Sequence, residues 1–558
     1  MGYLLEIALA LLVLGASEAI GPSVSELPFA LCALALVPHL LALVARAAFL
    51  RGRFRQSFVV LRVLQLSPVA LYFVALAVFG WRETVSRIVG HEVSFFAWPE
   101  LGVLLLGAPF VVFEALAIEA RARVVSGTPN ERRASRKFQH RMFAASLAPV
   151  VAYAVFASVV GWSESLRTHI EEVRVYGALF GAVLLAGMTL ALPYMLRRTW
   201  DTTPIPAGSQ RDLLLEVARL ASFRSSALLV WHTGSTMANA AIIGVGRAHR
   251  VVLFSDALLE QLDLRELAAV FAHEIGHAFR KHVLLFAVWA LAFFLGADLL
   301  AQIWFPDGTW SAAAVVLVAL IVWALTFSYV SRRCELDADL FSMELLRDWT
   351  ALASALERVG GRLRDVASWR HFSVAERVRF LERAALDPAV GRKLRRGIRT
   401  WSWVGTIALA LVLAGHALVM ARGFRAEQIV VDLRLGDYAA AATGAVGAGE
   451  VDPALLALVE RAAELGQEAQ AGRPANAAEL EVRARAALRA GDAMAAAEWL
   501  ALGALRGRSD LALVGEVVQD WMQSGELTGS SLPQAIEADW ADELDSLALR
   551  PRPPSSGR

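Results

Sequence analysis

The chain alternates long apolar runs with charged connections. Nine stretches come near the ~20 residues that a helix needs to cross a bilayer. They are 3–20, 27–46, 58–80, 101–119, 144–162, 174–195, 283–303, 311–330 and 402–421. Between the sixth and seventh stretches the pattern changes. TPIPAGSQ (203–210) reads as a turn-rich entry, followed by a helix over RDLLLEVARLASF. SALLVWHT (226–233), MANAAIIGV (237–245) and RVVLFSD (250–256) read as short strands joined by polar and glycine-containing turns. The next block reads as two helices, with Leu264, Leu267, Ala268, Phe271 and Ile275 recurring at helical spacing. Residues 331–400 are charged and helical in pattern.

The segment after 424 has no lysine, is rich in alanine and carries more Asp and Glu than Arg. GDYAAAA (436–442) and GDAMAAAEWLALGAL (491–505) resemble the second helix of tetratricopeptide-type hairpins, so a helical-hairpin domain is expected there. The tail PRPPSSGR is expected to be disordered. The expected organisation is six spans in 1–195, a polar block at 196–282, a membrane hairpin at 283–330 and a second polar block at 331–400. A ninth span at 401–423 and the acidic domain 424–558 follow. The fold class is mainly α: a polytopic helical membrane protein with a small strand-containing domain. The first stretch could be a signal peptide cleaved near GASEA, but it lacks a basic start and carries Glu6, so a retained span is favoured.

Composition agrees with this class. The chain is 57% hydrophobic, against about 45–50% for soluble domains. Its net charge of +1 argues against a nucleic-acid partner. Two cysteines, Cys32 and Cys334, cannot make a disulfide framework. Arg46, Arg51, Arg53 and Arg55 follow the second span. A larger basic cluster from Arg121 to Arg141 follows the fourth, and Arg197 and Arg198 follow the sixth. By the positive-inside rule these connections are cytoplasmic, which puts both polar blocks in the cytoplasm and the segment after 421 outside. A plasma or inner membrane is the expected location. Trp304, Trp310, Trp401 and Trp403 flank spans as interfacial anchors. Glu114 and Asp298 sit inside apolar runs, where carboxylates tend to pair or to face a cavity.

The chemistry concentrates in VFAHEIGHAFRKH (270–282). On a helix, His273 and His277 lie four apart and share a face. Two imidazoles so placed can hold one zinc ion, while Glu274 sits beside the metal without ligating it. A carboxylate there can take a proton from a water that the metal activates. A catalytic zinc usually has a third protein ligand. From His277 the chain crosses at 283–303, turns at FPDGTW (305–310) and returns at 311–330 into SRRCELDAD (331–339). The hairpin brings the chain back to the face that it left, so Glu335 is the candidate third ligand. Asp339, four residues on, can hydrogen-bond a ligating histidine. Cys334 points about 100° away from Glu335 on a helix and reads as a small buried residue.

The paired motifs HEIGHAFRKH and SRRCELDAD, with MANAAIIG and VVLFSDALLEQLDLRELAAVFAHEIGH before them, resemble the integral-membrane zinc metallopeptidases that include HtpX and the CaaX prenyl endopeptidases. The likeness covers roughly 196–385. It implies a small α+β gluzincin-type peptidase domain holding one zinc ion per chain through His273, His277 and Glu335, with Glu274 as general base. It also implies that Asn239 lies near the substrate groove. HFSVAER (371–377) resembles the family's H-P-x-x-x-x-R element, with Phe372 where proline is usual. His371 and Arg377 would then assist the oxyanion. His282 matches a recurrent position and is expected to support a ligand by a hydrogen bond. The expected partners are a polypeptide substrate, the lipid bilayer and a protein bound by the C-terminal domain. The alternative is a non-catalytic membrane scaffold that acts through that domain.

Overall fold

A computed structural model of the chain describes residues 2–16, 27–90, 93, 101–125, 128–235, 237–244, 246, 249–305, 310–361, 364–365, 371–446, 452–468, 477–524 and 532–548. The GASEA segment is only partly among them. The FPDGTW turn is mostly outside them, and the PRPPSSGR tail is entirely outside. The chain divides into two compact units, 1–159 with 184–416, and 160–183 with 417–558.

The first unit opens with helices α1 (Gly2–Ala16), α2 (Leu27–Leu50), α3 (Phe54–Ala77), α4 (Trp81–Val89), α5 (Gly102–Val125) and most of α6 (Pro129–Val160). Helix α7 (Glu164–Glu172) and the start of α8 (Arg174–Thr199) fall in the other unit. Among the described residues, seven helices are long and apolar enough to cross a membrane. These are α2, α3, α5, α6, α8, the later α12 (His282–Trp304) and α16 (Pro388–Leu435). Of the nine expected spans, 3–20 corresponds to the 15-residue α1. That helix is about 22 Å long at 1.5 Å per residue, against a hydrocarbon core of about 30 Å. The stretch 311–330 begins the 37-residue α13 (Trp310–Leu346). Buried Glu114 on α5 is paired with Arg121 at 2.5 Å. Asp298 on α12 lies on an exposed face, where Gln302 donates to it.

The small sheet has strand order β1-β2-β4-β3, from β1 (Thr202–Pro204), β2 (Ala227–Trp231), β3 (Ala240–Ile243) and β4 (Val251–Ser255). Strands β2 and β4 run parallel, and β1 and β3 are antiparallel to them. The three expected strands are present. The fourth, β1, arises where a turn was expected, because Thr202–Pro204 pairs with Leu229–Trp231. Alternation along β2 and β4 splits their side chains between two faces. Val230, Val252 and Phe254 pack with Leu267, Phe271 and Ile275. Leu229, Trp231, Val251 and Leu253 face Phe138 and Met142 of α6, and Trp200 stacks on Trp231.

Helices α9 (Ser209–Leu220), α10 (Asp256–Gln261) and α11 (Leu264–Phe279) complete the first polar block. After α12 and α13 come α14 (Thr350–Gly360), α15 (Val374–Leu386) and α16, whose 48 residues run unbroken through the expected ninth span.

The second unit holds α17 (Tyr438–Ala445), α18 (Pro453–Glu468), α19 (Ala477–Ala490), α20 (Ala493–Leu505), α21 (Ser509–Ser524) and α22 (Gln534–Ala548), packed around Trp499, Trp521 and Trp540. No local pattern in the chain marks residues 160–183 as part of this unit. They do so through ion pairs of Arg434 with Glu171 and Glu172, and of Arg174 with Glu427.

Candidate metal centre and peptide cleft

Three local features place the site helix α11. Asp263 caps it: its carboxylate accepts from the Glu266 amide, and Glu266 reaches back to the Asp263 amide. Such a reciprocal cap satisfies two amides that the first turn leaves without partners. Glu266 also accepts from Ser354 and Arg358, tying α14 to the same end. At the other end Gly276 crosses α13 closely, and a Cβ there would lie 3.1 Å from both Ala338 Cα and Phe341 Cβ.

That crossing brings His273, His277 and Glu335 together. One donor atom from each lies within 4.8 Å of the others. The two Nε2 atoms are 3.3 Å apart. Glu335 Oε2 is 3.8 Å from His273 Nε2, and Oε1 is 3.6 Å from His277 Nε2. Two ring nitrogens and a carboxylate converging on one point form a donor set that suits zinc. The electrostatics agree. Burial and the neighbouring His273 hold the His277 ring down at about 3, so it is neutral with a lone pair to give. Burial would raise Glu335, but the His371 hydrogen bond and the charges of His273 and Arg377 outweigh it and hold it well below the usual range.

Each neighbouring candidate has a definite place. Asp339, fully buried, sits 2.8 Å from Nδ1 of His273. Burial would lower the His273 ring, but this contact outweighs it and leaves the ring above its ordinary value. Arg377 grips Asp339 through two nitrogens, Nε at 2.9 Å and Nη2 at 2.5 Å, and its Nη1 lies 3.7 Å from Glu335. Half-exposed His371 reaches Glu335 with Nδ1 at 3.2 Å. Ser373 caps α15 in a box with Glu376, which fixes the approach of both HFSVAER residues. Phe372, which replaces the usual proline, packs in the cluster of Leu336, Leu340 and Phe380. His282 Nδ1 lies 3.1 Å from Nδ1 of His277. Cys334 is buried in an apolar cluster with Leu285, Trp289 and Val330.

Sequence reasoning missed Asp337, which lies 3.3 Å from His282 Nε2 and 3.0 Å from Arg395 Nε. It stands two residues from Glu335, about 200° around the helix. Reading along one face of α13 therefore skips it. The signal that could have found it is a third acid in CELDAD facing the start of α12.

The donors line a cleft of about 360 Å³. Its floor is His273, Glu274 and His277. One wall is Ala238, Asn239 and Ala240, and the other is Leu352, Ala355 and Leu356 of α14. Asn239 is pinned by Ser255: the Asn239 amide donates to Oγ, and its carbonyl accepts from the Ser255 amide. The next strand, β3, is at the edge of the sheet. Withdrawal from water raises the Glu274 carboxyl to about 7.

The described residues combine seven helices long and apolar enough to cross a membrane with a His-Glu-Ile-Gly-His helix answered by a distant glutamate, an arrangement like that of membrane metallopeptidases. Residues 205–385 match the model of Peptidase family M48. The chain is 25% identical over 298 residues to a probable CAAX prenyl protease 1 of Schizosaccharomyces pombe, covering 48% of this chain and 59% of that one. It thus spans about three-fifths of that relative's length. It is 28% identical over 247 residues to a protease HtpX homolog of Streptomyces coelicolor, covering 41% of this chain and 78% of that one. Among solved structures, that of S. mikatae Ste24p aligns at 14% identity with a TM-score of 0.33, covering 64% of this chain and 99% of that one. The similarity to Peptidase family M48 lies in residues 205–385, which carry the metal donors and the cleft residues named above.

Proposed function

We propose that this protein is a membrane-embedded zinc metalloendopeptidase, with one zinc ion held by His273, His277 and Glu335. The observation that carries this reading is the convergence of these donors beside Glu274 on the floor of a cleft walled by an edge strand. A zinc ion there supplies Lewis acidity, polarising the scissile carbonyl and lowering the pKa of a water. The chain's own residues do the rest. The edge of β3, entered at Asn239, accepts an extended peptide by main-chain pairing. Glu274 takes a proton from the attacking water and passes it to the leaving amine. A carboxyl near 7 suits both halves of that task. His371, half-exposed on the rim, and the Nη1 of Arg377 are the donors for the oxyanion. Asp339 orients His273 and holds Arg377 in place.

The basic connections favour a cytoplasmic active site and an external C-terminal domain. Polypeptides are the substrate class, either damaged membrane proteins or a peptide under maturation, and the C-terminal helices are the place for a protein partner. Glu274→Gln is the test. The variant should bind zinc with wild-type stoichiometry and lose chelator-sensitive cleavage of a model membrane substrate. Normal turnover by that variant would overturn the assignment.

A further inference from the structure

The two histidines of the zinc helix are supported unequally. His273 has a carboxylate directly on its Nδ1, from Asp339. His277 has another imidazole in that place, from His282 at 3.1 Å. Behind His282 stands Asp337, with Oδ2 at 3.3 Å from Nε2. Behind Asp337 stand Arg395 of α16, 3.0 Å from Oδ1, and Arg280, 3.7 Å from Oδ2. Arg395 is braced in turn by Glu344 at 2.7 Å. His282 and Asp337 are 1% and 3% exposed, so both are shielded from bulk water.

The protons along this line have only one consistent arrangement if His277 gives a lone pair from Nε2. Its single proton is then on Nδ1, which donates to His282 Nδ1. That nitrogen must be the acceptor, so the His282 proton sits on Nε2. This proton faces the Asp337 carboxylate, which can only accept. Reversing any one choice sets two protons, or two lone pairs, against each other.

Resting on the zinc reading above, we infer that Asp337 is a positioning residue for the metal centre. Acting through His282, it fixes the tautomer and ring orientation of His277, with Arg395 and Arg280 holding its carboxylate in register. Partners behind a metal ligand typically contribute about 10–100-fold to metal affinity. The zinc helix α11 is thus held from α13 by two carboxylates in opposite directions, Asp339 and Asp337.

The test is zinc affinity of the full-length protein in detergent, measured by competition with a chromophoric chelator. Asp337→Ala and His282→Ala should each weaken zinc binding by about 10–100-fold. The double variant should be no weaker than the worse single one, since both cut the same line. Asp337→Asn keeps the shape but cannot accept from His282 and Arg395 with both terminal atoms, so it should show a loss close to that of alanine. Melting of the metal-free variants reports folding separately. Wild-type affinity in Asp337→Asn, or losses that add in the double variant, would overturn the inference. If the wild-type chain binds no zinc, the proposed function fails with it; if only the variants behave like wild type, the relay alone fails.

Discussion

Gly276 offers the sharpest test of how the site is assembled. An alanine Cβ there would sit 3.1 Å from Ala338 Cα and Phe341 Cβ, and 3.3 Å from the Ala338 carbonyl oxygen. Carbon atoms pack best at about 3.5–4.0 Å, so α13 must retreat by roughly half an ångström. None of the three atoms is the end of a flexible side chain that can swing aside. Overpacking of this kind costs about 1–3 kcal/mol, here toward the upper end. Replacing a helical glycine returns about 1 kcal/mol. The crossing therefore wins, and Gly276→Ala should destabilise the protein by about 1–2 kcal/mol. The same retreat moves Glu335, and functional sites tolerate only about 0.5 Å of displacement. Zinc affinity should fall about tenfold, the equivalent of ~1.4 kcal/mol. The control is Gly397→Ala, since nothing lies within 4 Å of a Cβ at that position. It should be neutral or slightly stabilising. Equilibrium unfolding in mixed micelles and chelator competition read both effects. If the Gly276 variant matched the Gly397 variant in stability and wild type in zinc affinity, the close crossing would not be what sets the ligand geometry.

Three other outcomes are expected. Burial raises Glu274 to about 7, and a bound cation can only lower it. As the deprotonated base, it should make kcat/KM climb with pH along an acid limb centred at or below about pH 7; an acid limb centred above pH 8 would exclude Glu274 as the base. Arg377→Ala removes the two-pronged partner of buried Asp339, and breaking a buried pair costs about 3–5 kcal/mol; unfolding at wild-type denaturant concentration would show that the guanidinium is dispensable. Because Arg434 pairs with Glu171 and Glu172, topology reporters inserted near residue 162 and after residue 446 should report the same side of the membrane, expected to be the outside, and opposite sides would contradict those pairs.

Much of this molecule was legible before its structure. His273 and His277 follow from helical spacing. Glu335 follows from the rule that a hairpin returns to the face it left. Asp339 follows from one further turn of helix. The three strands announced themselves by apolar runs between turns. What escaped has common physical causes. Asp337 faces away from the ligand side, and its partners are remote in sequence, so no local pattern marks it. Strand β1 is three residues long and exists only because β2 has an edge to offer. The joining of 160–183 to the C-terminal helices depends on ion pairs across more than 250 residues, such as Arg174 with Glu427. The unbroken α16 hides a boundary that composition alone places at 401. The roles proposed for Asn239, His371 and Arg377 come from the likeness to M48 peptidases, since spacing alone suggests none.

Helix α13 runs without interruption from the apolar stretch 311–330 to Leu346, and it carries Glu335. This makes the order of biosynthesis matter. A nascent chain emerging from the ribosome displays His273 and His277 well before α12 and α13 have found the bilayer. Until that pair inserts and folds back, nothing aligns the third donor with the first two. On the proposed reading, the metal centre therefore closes only when the chain has reached its membrane, and a copy that never inserts would carry the motif without the site.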